Sequence, residues 1–236
     1  MLRKMFFVAT ATLAAASILS FSENASAHGF SADDDYDDNY YCDDDYCKPP
    51  KDSVKIVGVT YGGTGCKDGT VGVHLSQDYE SLTMMYDEYI AQVGPGIANQ
   101  EKRKFCHIVM ELDHPAGFSY ALVKLTYKGY VDLDDGVKAE QKSTYYFQGF
   151  KRDTVSFRTK FPSGFIGDFE YRDDVESIAW SPCDKKRGLN VVTSVQIDNK
   201  SRDKYAEGMI SIDSIDVDVA KSGVFETYDL LWRKCK

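Results

Sequence analysis

Short segments in which apolar and polar residues alternate fill most of the chain after Pro50. In "VKIVGVTY" (54–61), for example, Val54, Ile56 and Gly58 share one side. Alternation with a period of two, bounded by Gly, Pro, Asn and Asp, is typical of β-strands. The pattern predicts strands at 54–61, 70–75, 105–112, 118–133, 143–149, 154–161, 165–171, 177–180, 189–197, 208–212, 215–219 and 225–232.

No segment combines a sustained helical period with start and stop signals. The most helix-like stretch, 81–94, has no cap and ends in Gly-Pro-Gly. So many short strands at close spacing predict an all-β fold, an antiparallel two-sheet β-sandwich of jelly-roll type. We expect it to form one domain over residues 51–236.

The first 27 residues have the pattern of a secretory signal peptide. Arg3 and Lys4 precede an apolar run from Met5 to Phe21, and Ala25-Ser26-Ala27 supplies small residues for cleavage. No later stretch is long and apolar enough to span a bilayer. The sequence therefore predicts a secreted, extracellular protein with no membrane span after cleavage.

Residues 28–50 form an acidic segment rich in Asp and Tyr. The whole chain carries a net charge of −9, and residues 28–53 hold nine aspartates against two lysines. Dense like charge with few aliphatic residues favours a disordered tail. Calcium binding by this tail is the alternative, although Gly and Glu are missing at the EF-hand positions. Because the acidity is in the tail and no basic stripe follows, a nucleic-acid partner is disfavoured.

Six cysteines follow the predicted cleavage site, namely Cys42, Cys47, Cys66, Cys106, Cys183 and Cys235. An even number in an exported chain predicts disulfides, and six cysteines permit 15 pairings. One pairing with little crossing joins Cys42 to Cys47, Cys66 to Cys106, and Cys183 to Cys235. Disulfides of this kind would fasten the sandwich and its last strand.

Four further motifs occur in a fixed order along the domain. They are "VGPGI" (93–97) followed by "RKFCHI", "KSTYYFQG" (142–149), "WSPC" (180–183) followed by "LNVVTSV", and "YDLLWRKC" (228–235). In this order the chain resembles the secreted family catalogued as domain of unknown function 4360, over about residues 51–235. The resemblance implies an exported β-rich protein in which Cys66, Cys106, Cys183 and Cys235 match the family's cysteines. It implies no activity and no catalytic residue.

Catalytic signatures are missing from the sequence. It contains neither a G-x-S-x-G elbow nor an H-E-x-x-H helix. A polysaccharide hydrolase that uses two facing carboxylates remains an alternative, because such an enzyme needs only two acids across a cleft. The candidate acids are Glu111, Asp113, Glu140, Asp168 and Glu170.

Two acidic clusters are weak candidates for calcium. Asp132 and Asp134 share one side of a strand end, and Asp216 and Asp218 share one face of another strand. Both clusters also fit exposed strand edges. No other cofactor is expected.

Histidines and tryptophans favour structural interpretations. His74 and His107 lie within predicted strands, and His114 follows Asp113 in a loop, where metal binding is a minor alternative. Trp180 and Trp232 each precede a cysteine closely, which predicts packing around a disulfide; a surface platform for sugars is the alternative. Asn199 begins an N-glycosylation sequon.

We therefore expect a non-catalytic binding or structural domain that acts at a cell surface or in the extracellular space. A glycan or a cell-envelope surface is the expected partner. The paired-carboxylate hydrolase and the calcium-dependent surface protein are the alternatives.

Overall fold

The computed structural model of the protein describes residues 42–43, 46–174, 178–183, 185–200, 203–212 and 224–235. They form fourteen strands and two short 3-10 turns, at Asn99–Lys102 and Lys151–Asp153. The strands are β1 (Cys42–Asp43), β2 (Tyr46–Cys47), β3 (Lys55–Gly62), β4 (Val71–Leu75), β5 (Ser81–Tyr86), β6 (Ile90–Val93), β7 (Arg103–Asp113), β8 (Phe118–Leu133), β9 (Val137–Phe147), β10 (Val155–Phe161), β11 (Ile166–Asp174), β12 (Leu189–Asn199), β13 (Gly208–Ser211) and β14 (Val224–Lys234).

The first layer is a five-stranded antiparallel sheet in the order β10-β9-β12-β7-β3. Strands β7 and β9 alternate between buried and more exposed positions. Because successive side chains of a strand point to opposite faces, one face of this sheet is in the core and the other faces solvent.

The second layer is a seven-stranded antiparallel sheet. The order β4-β5-β14-β8 leads to its longest strand, β8. The end of β8 pairs with β13, which pairs with β6, while β11 pairs along the other side of β8. A register shift lies between Asp229 and Leu230, where β14 pairs with β8. The predicted all-β, antiparallel, disulfide-linked sandwich is confirmed.

Aromatic side chains fill the space between the layers. Tyr127 and Tyr145, from opposite sheets, are almost completely buried. Hydrogen bonds between the layers include one from the Tyr145 hydroxyl to the Leu122 carbonyl at 2.9 Å, one from the Thr193 hydroxyl to the Tyr89 hydroxyl at 2.8 Å, and one between the hydroxyls of Tyr127 and Thr159. Burial on this scale is the main favourable contribution to folding.

Three disulfides connect Cys42 to Cys47, Cys66 to Cys106, and Cys183 to Cys235, and no described cysteine is free. Cys47 and Pro49 are buried, and Lys48 forms an ion pair with Glu80. The packed part of the chain therefore includes residues just before the expected boundary at residue 51. The rest of the predicted acidic tail and the predicted signal peptide lie outside the described residues.

The clearest differences from the predicted strands concern three segments. Segment 81–94, the most helix-like part of the sequence, forms the strands β5 and β6. Segment 177–180 forms no strand among its described residues and contributes only an isolated bridge between Trp180 and Ala121. Strand β9 begins at Val137, well before the predicted start at Ser143. The predicted strand at 215–219 lies outside the described residues.

Candidate functional site

The solvent-facing side of the five-stranded sheet carries an uncharged surface. Strand register places Ser156, Thr144, Val192, His107 and Gly62 in one row across all five strands. A second row, two residues further along, contains Tyr146, Asn190, Val109 and Thr60. We call these two rows the neutral strip.

Strand spacing fixes the size of the neutral strip. Four gaps between adjacent strands, each of about 4.8 Å, give a length of about 19 Å. The two rows are about 7 Å apart, since each is two residues from the next along a strand. At one end, a Cβ atom placed on Gly62 would meet no atom within 4 Å. The strip is therefore long, shallow and open at its Gly62 end.

A short hydrogen-bond chain holds the centre of the neutral strip. The Asn190 side chain is only 6% exposed, although it lies on the outer face. Its Nδ2 donates to the Gly188 carbonyl at 3.2 Å, so its Oδ1 is turned to accept from His107 Nε2 at 3.0 Å. With Nε2 as the donor, the neutral imidazole of His107 presents Nδ1 as an acceptor.

Tyr146 supplies the aromatic ring of the neutral strip. It is directly across from Asn190 in the pairing of β9 with β12, and the ring is half-buried. Lys151 Nζ lies 6.0 Å from the ring centroid. In the other row, the hydroxyls of Thr144 and Ser156 are 3.0 Å apart.

These groups make a surface with mixed chemistry. Tyr146, Val109 and Val192 offer apolar contact, while hydroxyls, an amide and an imidazole offer hydrogen bonds. A tyrosine ring combines an apolar body with a polar tip, which suits ligands that are wet on one side. No formal charge interrupts the strip when the imidazole is neutral.

The five candidate acids for hydrolysis are divided between the outer faces of the two sheets. Glu111, Asp113 and Glu140 face outward on the five-stranded sheet, whereas Asp168 and Glu170 face outward on β11. Three of these acids form ion pairs. Asp113 pairs with Lys186, and Glu140 pairs with Arg158. Glu170 pairs with both Lys128 and Arg172.

Electrostatics also separates two of these acids, Asp113 and Glu170, from a general acid, which needs a raised pKa. Hydrogen bonding to Lys186 lowers the pKa of Asp113, and hydrogen bonding to Arg172 and Lys128 lowers the pKa of Glu170. The hydrogen bond from Ser76 lowers the pKa of Asp78, and that from Lys67 lowers the pKa of Glu88. Each of these carboxylates is held in its charged form.

The weak calcium candidates Asp132 and Asp134 lie at the mouth of a cavity of about 320 Å³ beside Gly94, Pro95 and Glu207. One oxygen of Asp134 already accepts the Glu207 backbone N–H at 2.7 Å. In the described part of the chain, no three acidic, histidine or cysteine side chains are grouped as metal ligands. Asp216 and Asp218 lie outside the described residues, so calcium binding stays a prediction.

The other singled-out residues are mostly structural. His114 is buried, with its ring 5.8 Å from Tyr120 and 5.7 Å from Trp232, and burial lowers its pKa. Trp232 is in the core and donates to the Tyr79 carbonyl at 2.9 Å. Trp180 is half-buried at the surface, where Arg233 lies 4.1 Å from its ring centroid.

His74 and the glycosylation candidate Asn199 lie away from the neutral strip. His74 is exposed on β4. Asn199 ends β12, and its Nδ2 donates to the Ala206 carbonyl at 3.3 Å. Neither residue contributes to the neutral strip.

Sequence reasoning missed the neutral strip as a unit. The alternation in "STYYFQG" is enough to place Thr144 and Tyr146 on one face of a strand, as the structure has them. Sequence reasoning did not select Asn190, whose signal is a single amide within the apolar run "LNVVTSV". The adjacency of Asn190 to Tyr146 depends on strand order, which periodicity alone does not give.

Comparison with known proteins identifies relatives. The model of a family described as domain of unknown function DUF4360 matches residues 52–235, which confirms the resemblance. An uncharacterized secreted protein of Arthroderma benhamiae is 38% identical over 189 residues, covering 79% of this chain and 74% of the relative. Disulfides persist in oxidising compartments, and with this relative they identify the chain as a secreted protein.

Among solved structures, TmCBM61 in complex with β-1,4-galactotriose matches with 10% identity and a TM-score of 0.25, covering 76% of this chain and 90% of that chain. A TM-score this low carries no argument about ligand or mechanism. Separately, no helix within the described residues is long and apolar enough to cross a membrane.

Proposed function

This chain belongs to the DUF4360 family, and we propose that it is a secreted, non-catalytic β-sandwich that binds glycan at a cell surface or in the extracellular space. The observation that carries the proposal is the neutral strip, which crosses all five strands of one sheet. Its shape favours an extended polymer over a small molecule, because small-molecule sites are usually enclosed clefts.

The chemistry of the neutral strip matches that of a sugar chain. A sugar ring has apolar C–H faces and a rim of hydroxyl groups. Tyr146 and the two valines of the strip provide apolar contact for the C–H faces. His107 and Asn190, which are hydrogen-bonded to each other, and the nearby hydroxyls provide donors and acceptors for the sugar hydroxyl groups.

The charge distribution supports binding over hydrolysis. The candidate acids are spread over two sheets, and three of them are held by cations. None of the strip residues is a carboxylate. A paired-carboxylate mechanism needs two acids about 5–10 Å apart across one cleft.

A pull-down with insoluble polysaccharides tests the proposal. The full mature protein is mixed with cellulose, chitin, β-1,3-glucan and pectin, and the bound fraction is measured. We expect Tyr146→Ala to weaken binding roughly tenfold, because it removes the strip's aromatic contact. The matched control is Tyr130→Ala, on the outer face of the other sheet, which we expect to bind like the wild type.

Two results would overturn the proposal. The first is that the folded protein binds none of the polymers. The second is that Tyr130→Ala and Tyr146→Ala weaken binding equally, since the neutral strip would then not be the contact surface.

A further inference from the structure

We propose that the glycan bound by the neutral strip is acidic, carrying carboxylate or phosphate groups along its chain. This inference rests on the proposed function and concerns the charges beside the strip. Next to the row of Thr144 and His107, on the side away from Tyr146, the same outer face carries five basic residues and two acidic ones. These residues are Lys138, Lys142, Arg103, Arg158 and Lys160, with Glu140 and Asp198. We call this region the basic margin.

Two cations of the basic margin lack an acidic partner. Glu140 pairs with Arg158 at 3.4 Å and stands directly opposite Lys160, while Asp198 stands directly opposite Lys138 and pairs with Lys200, outside the margin, at 2.9 Å. Lys142 and Arg103 face no acid across the strands and form no ion pair with any acid of the described residues. Their two positive charges are therefore available to a ligand.

The position of Lys142 is unfavourable without an anion. It stands directly opposite Arg158 in the pairing of β9 with β10. Like charges directly opposite each other on one face of a sheet are destabilising. In the other sheet, Lys128 stands directly opposite Glu170 and forms an ion pair with it at 3.2 Å. A bound anion beside Lys142 would supply the missing negative charge.

The location of Lys142 also connects the basic margin with the neutral strip. It is two residues from Thr144 on β9, so the two side chains point to the same face about 7 Å apart. A polymer lying along the strip therefore brings its substituents within reach of a long lysine side chain.

Cations also lie at the opposite border of the neutral strip. Lys151 is near the Tyr146 ring, and Arg187 precedes Gly188, the residue that holds Asn190. The Arg187 Nε atom is buried and has no hydrogen-bond partner among the described residues. This border carries both signs of charge, because Glu111 faces outward two residues beyond Val109 on β7, so the excess of positive charge is on the side of the basic margin.

This basic margin is not a consequence of overall composition. The whole chain has a net charge of −9. Nucleic-acid binding would draw on a broad basic surface and repeated base stacking, whereas the neutral strip has only the rings of Tyr146 and His107. The chemistry therefore favours an acidic glycan.

The test uses polymers that differ only in charge. Binding of the full mature protein is measured by affinity electrophoresis against polygalacturonate and its methyl ester, and against alginate and its methyl ester. We expect binding to an acidic form to exceed that to its ester by about fivefold, and to fall as salt is raised.

Two lysine variants test whether the basic margin causes the preference for acidic polymers. Lys142→Ala should weaken binding to the acidic polymer about two- to fivefold and leave binding to the ester unchanged. The matched control, Lys128→Ala, replaces a paired lysine on the other face and should leave both unchanged.

The outcomes separate the two proposals. Equal, salt-independent binding to acid and ester overturns the inference and leaves the glycan proposal standing. Binding to neither form of either pair overturns the inference, and if the neutral polymers also fail, the glycan proposal fails with it. Single-stranded DNA that competes as well as the acidic polymer would show a general polyanion surface and would also overturn the inference.

Discussion

The two outer faces of the sandwich differ in how many of their charged side chains form ion pairs. On the seven-stranded sheet, Glu170 accepts from Arg172 at 2.7 Å and pairs with Lys128 at 3.2 Å. On the five-stranded sheet, the neutral strip carries no paired charge and the basic margin leaves Lys142 without an acid. The described charges of the first face are largely paired within the protein, whereas Lys142 and Arg103 of the second form no ion pair with any described acid.

This difference shows where a binding surface can be sought when no catalytic motif exists. Like charges placed directly opposite each other are a small local cost to stability. Such costs tend to occur where a surface serves a purpose other than folding. Lys142 opposite Arg158 is such a pair on the five-stranded sheet.

The largest expected effect comes from the disulfides associated with each sheet. Chain-entropy arguments predict a loss of about 4 kcal/mol for the double serine variant of Cys66 and Cys106, and a similar loss for that of Cys183 and Cys235. Urea unfolding would measure both. Only the first variant should also weaken glycan binding, because Cys106 adjoins His107 in β7 and Cys66 follows the Gly62 end of the strip.

Binding must be compared below the unfolding transition of both variants. Equal loss of binding in the two variants would remove the distinction between the sheets. Peptide mapping without reduction supplies the control, and a peptide joining Cys66 to Cys183 would contradict the pairing.

The next effect concerns the centre of the neutral strip. Asn190→Ala removes the acceptor for His107 Nε2 and should lower the free energy of unfolding by about 1–2 kcal/mol. NMR of the His107 ring nitrogens should show Nε2 protonated in the wild-type neutral ring and a mixture of tautomers in Asn190→Ala. Asn190→Asp keeps an acceptor oxygen and should restore the tautomer. An unchanged tautomer in Asn190→Ala would show that Asn190 does not orient the ring.

Much of the fold follows from sequence periodicity. The alternation in "STYYFQG" places Tyr145 and Phe147 in the core and Thr144 and Tyr146 outside, as observed. Periodicity leaves the stretch 81–94 ambiguous, because its apolar residues fit both a helical and a strand period. In the structure, Leu82, Met84 and Tyr86 are buried on one face, as in a strand.

The candidate site depends on information that a single strand lacks. Tyr146 and Asn190 are far apart in sequence and become neighbours only because β9 pairs with β12 in one register. A shift of one residue would turn either side chain into the core. The charge pattern has the same origin, since Lys142 meets Arg158 only after β9 pairs with β10.

A pH effect tests the burial of His114 in the core. Burial lowers the pKa of His114 below its ordinary value of about 6.5. The unfolded chain therefore binds a proton more readily, so this contribution to stability is complete above about pH 6.5 and is lost as the pH falls through the folded pKa. Thermal unfolding at several pH values should show less acid sensitivity in His114→Phe than in the wild type. His74→Ala, an exposed control, should match the wild type.

The smallest effects test the comparison of faces most directly. Glu170→Gln breaks exposed ion pairs on the seven-stranded sheet and should lower the free energy of unfolding by less than about 1 kcal/mol, without changing binding to an acidic polymer. Glu140→Gln is the matched change on the five-stranded sheet, where it releases Arg158 from its ion pair. We expect it to strengthen binding to polygalacturonate about twofold, since one more cation becomes available. If both substitutions leave binding unchanged, charge at the basic margin does not contribute, and the two faces differ only in how each stabilises the fold.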